Sequence, residues 1–194
     1  MFKNLLKKTL TLSSVLLLIS CASVPTDINI IPDLQLKAGT VALTNEAPWQ
    51  VASRDLRVER HLVQIVDGEK VAQLINEHQS VRLVIEKNLS QAWVNNGLKI
   101  ADQSDYHIDI MIIKALATVT ESAVSYEVKS QLALKVQLTY QGKKFVKLFR
   151  SNSQWEGPFN ASISRITKEL SVQLSDLLNQ IVQDQELNKK LQQF

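Results

Sequence analysis

Two stretches, YHIDIMIIKALA (Tyr106–Ala117) and VSYEVKSQLALKVQLTY (Val124–Tyr140), carry the clearest pattern in the chain. Apolar and polar residues alternate along both, which is typical of strands with one buried and one solvated face. Gln141–Gly142 then predicts a turn into a third strand over residues 144–155. The pattern therefore predicts a meander of three long antiparallel strands, with residues 118–123 as a turn.

Within the first of these strands, the alternation assigns side chains to two faces. Tyr106, Ile108, Ile110 and Ile112 share one face, and Ala115 and Ala117 are expected on the other.

A helix is predicted on each side of the meander. Before it, apolar residues recur at helical spacing from Val81 to Trp93, with Asn76 and Gln79 as a capping pair and Gly97 as the C-terminal cap. We expect Trp93 to lie in the core.

After the meander, Ile163 to Ile181 form an apolar stripe that Asn160 or Ser162 caps. A phase shift after Asp184 predicts a break and a short terminal helix.

Two further strands are expected upstream, at Thr40–Thr44 and Val58–Val66, with Asn45–Trp49 as a loop between them and Val71–Ile75 ambiguous. The predicted order is β-β-α-β-β-β-α. This order indicates an α+β two-layer sandwich, in which two long helices pack on one face of a mainly antiparallel sheet.

The N-terminus has the features of a lipoprotein signal peptide, residues 1–20. Basic residues precede a short apolar run that ends in Leu18-Ile19-Ser20-Cys21, and that run is too short to span a bilayer. These residues form a lipobox, which predicts cleavage before Cys21 and its modification by S-diacylglycerol and an N-acyl chain such as palmitate. An uncleaved anchor or a coincidental cysteine is the alternative.

The residues after the lipobox predict the location of the mature protein. Ala22 and Ser23 include no aspartate, the residue that commonly retains such proteins in the inner membrane. We therefore expect a lipid-anchored protein of the outer membrane that faces the periplasm. Residues 21–38, with Pro25, Pro32 and one short strand near Ile28–Ile31, are interpreted as a tether long enough to hold the domain several nanometres from the bilayer, and residues 39–194 as a single domain.

The charge balance argues against nucleic acid as a partner. The basic excess of the whole chain comes from Lys3, Lys7 and Lys8, and without them 19 of the 22 basic residues remain against 19 acidic ones. A formally neutral domain lacks the positive footprint of nucleic-acid-binding proteins.

Several motifs together resemble a known family. The lipobox, SRDLRVERHLVQI (Ser53–Ile65), Asn96–Gly97 at the end of a helix, and WEGPFNAS (Trp155–Ser162) before the terminal helix are similar in order and spacing to the YajG family of bacterial lipoproteins. The resemblance implies an α+β fold and a Gram-negative outer-membrane location. It provides no catalytic residues, and this lipobox departs from the commoner Leu-Ala-Gly-Cys.

The residues do not point to a catalytic or metal site. His61, His78 and His107 are not spaced with Cys, Asp or Glu as metal ligands, and no glycine-rich phosphate loop or nucleophile elbow occurs. His107 and Asp109 share one face of a strand and could interact, although a solvated strand face is the favoured interpretation. No cofactor is expected apart from the lipid on Cys21.

One polar cluster stands out, formed by Arg54, Asp55, Arg57, Arg60 and His61, with Glu59 among them. It could be a recognition patch for an anionic envelope component or a partner protein, since arginine binds carboxylate and phosphate groups with two hydrogen bonds. The alternative is internal pairing, in which Asp55 bridges Arg57 and Glu59 offsets Arg60.

The favoured function is therefore a non-catalytic binding or envelope-assembly module. Its partner would be another envelope protein, or a second copy, paired through an exposed strand edge. A hydrolase of peptidoglycan or lipid and a carrier of an apolar ligand are the alternatives.

Overall fold

The computed structural model describes residues 25–35, 42–44 and 46–194. Within these residues the chain forms seven strands, one helix between the fourth and fifth strand, and two helices at the end. In chain order the elements are β1 (Asp27–Ile28), β2 (Gln50–Asp55), β3 (Val63–Asp67), β4 (Gln73–Glu77), α1 (Val81–Asn95), β5 (His107–Glu121), β6 (Ser125–Tyr140), β7 (Lys143–Pro158), α2 (Ile163–Gln183) and α3 (Gln185–Gln193).

All seven strands belong to one open sheet, in the order β1-β4-β3-β5-β6-β7, and β2 also pairs with β5. The meander β5-β6-β7 is antiparallel, as predicted. However, β2 and β3 both run parallel to β5 along the same side of it, and β1 runs parallel to β4. The α+β class is thus confirmed, whereas the expectation of a mainly antiparallel sheet is corrected to a mixed one.

The predicted element order is wrong upstream of α1. The strand expected at Val58–Val66 begins only at Val63, and β2 precedes it at Gln50–Asp55. The ambiguous stretch Val71–Ile75 contains the start of β4. Of the strand expected at Thr40–Thr44, residues 42–44 are not a strand and the others lie outside the described residues.

A β-bulge in β5 corrects the predicted assignment of its faces. Ile112 pairs with Leu134 of β6 and Lys114 with Ala133, so Ile113 is an extra residue in β5. The insertion shifts the alternation by one position, and Ala115 and Ala117 are buried like Ile112 rather than turned to the other face. The strand also continues to Glu121, through most of the stretch that was expected to be a turn.

The helices follow the predicted stripes closely, but the cap of α1 differs. Its N-cap is Ser80, whose side chain makes no capping hydrogen bond, so the pair Asn76 and Gln79 is not the cap. Gly97 has a φ of +97°, and a β-carbon there would lie 2.8 Å from the Leu43 carbonyl oxygen, which explains a glycine at this position.

At the end of the chain, Ser162 is the N-cap of α2 and Asp184 separates α2 from α3, as predicted. The Asp184 carboxylate accepts a hydrogen bond from the Leu187 N–H at 2.8 Å and thereby caps α3. The short terminal helix that the phase shift predicted is α3, of nine residues, and it follows the two long helices.

The hydrophobic core lies between the sheet and the helices. It combines the inward residues of β3 to β6 with the apolar faces of all three helices, and Trp93 lies fully buried within it, as expected. No helix in the described residues is both long and apolar enough to cross a membrane.

The described part of the predicted tether, residues 25–35, packs against the domain. Ile28 and Ile30 are each 6% exposed and belong to the core. The Ile31 N–H donates to Ser171 Oγ at 3.1 Å, and the Asp33 N–H donates to Ser175 Oγ at 2.8 Å, so the segment lies along one turn of α2. Residues 25–35 therefore do not act as a spacer, and the domain begins earlier than residue 39.

Candidate functional site

Arg57 is the centre of the charged cluster, and its side chain is only 1% exposed. Its Nε and Nη2 donate to the two carboxylate oxygens of Asp55 at 3.0 and 2.9 Å, and Nη2 also donates to Glu77 Oε2 at 2.8 Å. Glu77 in turn accepts a hydrogen bond from the N–H of Val81, the first residue of α1. Arg57 therefore connects the ends of β2 and β4 to the start of α1.

Asp55 is held in its ionised form by this arrangement. Partial burial raises the pKa of the carboxyl group, but the hydrogen bonds from the Arg57 side chain and N–H, together with the charges of Arg57 and Arg60, outweigh it. The pKa of Asp55 consequently falls from 3.8 to about 2.

This shift predicts a pH-dependent contribution to stability. Because the pKa of folded Asp55 lies below its unfolded value, the ionised carboxylate stabilises the fold above about pH 4, and the stabilisation is lost as the pH falls towards 2. The stability difference between the wild type and Asp55→Asn should therefore shrink by about 2 kcal/mol between pH 5 and pH 2. Urea unfolding at a series of pH values measures this difference. The exposed Asp102→Asn is the control, and a difference for Asp55→Asn that stays constant over this range would contradict the assignment.

Arg54, Glu59 and Arg60 of the cluster are also paired within the chain. Arg60 Nη1 lies 2.6 Å from Asp55, although 67% of its side chain is exposed, and Arg54 Nη2 lies 3.5 Å from Asp109 of β5. Glu59 pairs with Lys114 at 2.9 Å and not with Arg60, contrary to expectation. This geometry favours internal pairing over a free recognition patch.

The histidines do not form a catalytic arrangement in the described structure. His61 Nε2 is buried without a hydrogen-bond partner, and His107 is half-buried on β5, where the nearby Asp109 pairs with Arg54. Neither histidine lines the two cavities described next. Among the described residues, no group of three or more His, Cys, Asp and Glu side chains could hold a metal ion.

The first cavity is apolar and lies in the core between the sheet and the helices. Its volume is about 20 Å³, close to that of one water molecule and far below the roughly 300–1,000 Å³ of typical ligand pockets. This cavity therefore gives no support to the carrier hypothesis.

The second cavity is an open polar groove of about 980 Å³ along α2, bordered by residues 33 and 35 and by Lys147 of β7. Lys147 pairs with Asp184 at 2.9 Å and with Glu186 at 2.8 Å. Hydrogen bonds to Glu186 and Asp184 raise the pKa of Lys147. The ion pairs lock β7 to the junction of α2 and α3.

The longest exposed feature is β7 itself, a 16-residue strand at one edge of the sheet. Within the described residues its strand neighbour is β6, and no strand lies on its other side. Phe149 faces the core, whereas Val146 and Leu148 on the opposite face are 51% and 40% exposed. Such an edge offers unpaired backbone groups to another strand.

Comparisons with known proteins agree with the predicted family. The profile of the family Lipoprotein_16, described as uncharacterised lipoproteins, matches residues 35–192. Uncharacterised lipoprotein YajG from Escherichia coli strain K12, and its counterpart from strain O6:H1, are each 22% identical over 194 residues, which cover all of this chain and 98% of theirs.

A solved structure shows a similar fold. The crystal structure of protein XCC0632 from Xanthomonas campestris has a TM-score of 0.56 at 10% identity and covers 84% of this chain and 97% of its own. A minor lipoprotein from Acinetobacter baumannii, at 9% identity, covers 77% of this chain and 93% of its own, but its TM-score of 0.38 is too low to support an argument.

The predicted lipidation site, formed by Leu18, Ile19, Ser20 and Cys21, lies outside the described residues, as does the whole predicted signal peptide. The evidence for a lipoprotein is instead the family match, which extends over most of the chain. This chain therefore belongs to the Lipoprotein_16 family of uncharacterised lipoproteins, as its resemblance to YajG predicted.

Proposed function

We propose that this chain is a lipid-anchored protein of the outer membrane that faces the periplasm and acts as a non-catalytic binding or assembly module. Family membership supports anchoring by lipid. The lipobox supports Cys21 as the attachment site, and Ala22 and Ser23 after it support the outer membrane. Two or more acyl chains anchor a protein stably, whereas one chain binds only marginally.

The observation that carries the binding role is the edge strand β7. A long edge strand is stabilised when another strand adds to it, and exposed Lys143, Lys144 and Arg150 make most of this edge positive. Glu156 is the acidic residue near its other end. The proposed partner is therefore an envelope protein that contributes a strand with acidic residues.

The non-catalytic part of the proposal is supported by how the chain uses its charged groups. Arg57, Asp55 and Glu77 hydrogen-bond one another at the junction of three elements and line neither cavity. In the polar groove, Lys147 is likewise paired with Asp184 and Glu186. An enzyme would require polar groups that converge in a cavity and stay free to contact a substrate.

Site-specific photocrosslinking in cells tests the β7 interface. A photoreactive residue at Val146 should crosslink to a discrete partner, whereas Gln131, on the same face but on the interior strand β6, should not. The partner identified by mass spectrometry should bind the purified protein, and Lys144→Glu with Arg150→Glu should weaken that binding at least tenfold. A crosslinked dimer would identify self-association instead. Equal crosslinking from both positions, or none from Val146, would contradict the proposal.

A further inference from the structure

Three chain connections lie together at one end of the sheet. Asp67 at the end of β3 pairs with Glu121 at the end of β5, and Ser125 at the start of β6 pairs with Pro158 at the end of β7. The β3–β4 turn, the β5–β6 turn and the β7–α2 connection therefore form a row at this end. We call this end of the sheet the apolar end, because Val71, Val124 and Phe159 are exposed there.

Each connection of the apolar end presents a large apolar side chain to solvent. Val71 of the first is 97% exposed, and Val124 of the second and Phe159 of the third are each 72% exposed. The Phe159 N–H donates to the Val124 carbonyl oxygen at 2.9 Å, so these two residues are neighbours. Phe159 also has a φ of +60°, a left-handed conformation that is unfavourable for residues other than glycine. An exposed aromatic side chain is thus held on a strained backbone.

The opposite end of the same strands is polar. The β6–β7 turn there is Gln141–Gly142, followed by exposed Lys143 and Lys144, and exposed Asp102, Gln103 and Asp105 lie in the connection that leads into β5. Scattered apolar side chains occur on most protein surfaces. In this protein, exposed apolar side chains occur in all three connections of the apolar end, whereas the connections described at the opposite end are polar. This difference between the two ends suggests that the apolar end contacts something.

The N-terminal segment leads towards the apolar end. Asp27 of β1 pairs in parallel with Asn76 of β4, and β4 starts at the β3–β4 turn of the apolar end. The chain that precedes Asp27 therefore enters from that side. Three residues, 22–24, separate Cys21 from Pro25, the first described residue. At about 3.5 Å per residue, Cys21 can be no more than about 14 Å from Pro25.

From this geometry we propose that the apolar end rests on the lipid surface, with Val71, Val124 and Phe159 in contact with the bilayer. This inference rests on the proposed lipid anchor, since the short chain between Cys21 and Pro25 brings the acyl groups close to the same end. The contact fixes the orientation of the domain, and the end with Gln141–Gly142 points into the periplasm. The surface needs no excess of basic residues, because apolar side chains in the interfacial region provide the contact.

A paired labelling experiment tests the orientation. The full lipidated protein is purified from membranes and reconstituted into vesicles of phosphatidylethanolamine and phosphatidylglycerol. Cys21 is blocked by its thioether, so Val124→Cys and Gln141→Cys can each be labelled with an environment-sensitive fluorophore. The Val124→Cys label should shift to the blue and lose at least half of its emission to brominated lipid, whereas the matched Gln141→Cys label should do neither. Phe159→Cys should behave like Val124→Cys.

Flotation of the same vesicles separates the two proposals. Protein that does not float with the vesicles would overturn the anchor and this inference together. Protein that floats but carries a solvated label at Val124→Cys, or a shielded one at Gln141→Cys, would overturn the orientation alone. A Val124→Cys label that is shielded in cells but solvated in vesicles that contain no other protein would assign the apolar end to a protein contact, which also overturns the inference.

Discussion

Replacing Arg57 with methionine is expected to lower the free energy of unfolding by about 3–5 kcal/mol, because the substitution breaks a buried ion pair by removing one partner. The Asp55 and Glu77 side chains are only 13% and 23% exposed, and both accept hydrogen bonds from the same guanidinium. Without it, two like charges would face each other beside the start of α1. Urea unfolding at neutral pH measures the loss.

Arg60→Met is the matched control for this substitution. Arg60 pairs with the same Asp55 carboxylate but is 67% exposed, so its removal should cost less than about 1 kcal/mol. Arg57→Lys should fall between the two variants, since an ammonium group keeps the charge but cannot donate in the same forked geometry. If Arg57→Met and Arg60→Met were equally mild, Arg57 would not be the structural centre of the cluster.

The second large effect concerns location. Cys21→Ala should move the protein from the membrane fraction to the soluble fraction, because it removes the residue that carries the acyl chains, each of whose buried CH₂ groups contributes about 0.8 kcal/mol. The fold should be unchanged, since the described core residues begin at Ile28. Fractionation with a high-salt wash, combined with circular dichroism of the released protein, measures both outcomes.

Ser23→Ala is the control for this substitution, because it changes a neighbouring residue and leaves the lipobox intact. It should remain in the membrane fraction. Cys21→Ala protein that stayed in the membrane after the wash would show that something other than a lipid on Cys21 holds the chain there.

The parts of the fold that depend on local pattern could be predicted from the sequence. The alternation in β6 and the helical stripe of α2 each recur over many residues, so errors at single positions average out. The break at Asp184 was predictable for the same reason, since the apolar stripe changes phase there. Asp184 is also a residue type that commonly caps the start of a helix.

The parts that depend on pairing between distant residues could not be predicted. β2, with the sequence QVASRD, has little apolar alternation and exists as a strand because it pairs with β5 more than 50 positions away. The bulge at Ile113 is likewise visible only against the partner strand β6. The packing of residues 25–35 on α2 depends on two serine hydroxyl groups, and serine on a helix surface ordinarily indicates solvent.

The same distinction applies to the charged cluster. The Asp55–Arg57 pair is local, and the sequence already offered it as one of two interpretations. Glu77, the third member, lies 20 residues further along the chain and on another strand, so spacing gave no reason to include it. A weak signal was present, because Glu77 stands four residues before Val81, the first residue of α1, where a carboxylate can accept a free N–H.

The central claim, that Cys21 anchors this domain to the membrane by lipid, is tested most directly by the mass of the N-terminal peptide of protein purified from the outer-membrane fraction. We expect a peptide that begins at Cys21 and carries both diacylglycerol and an amide-linked acyl chain. An unmodified Cys21, or a chain that retains residues 1–20, would contradict it.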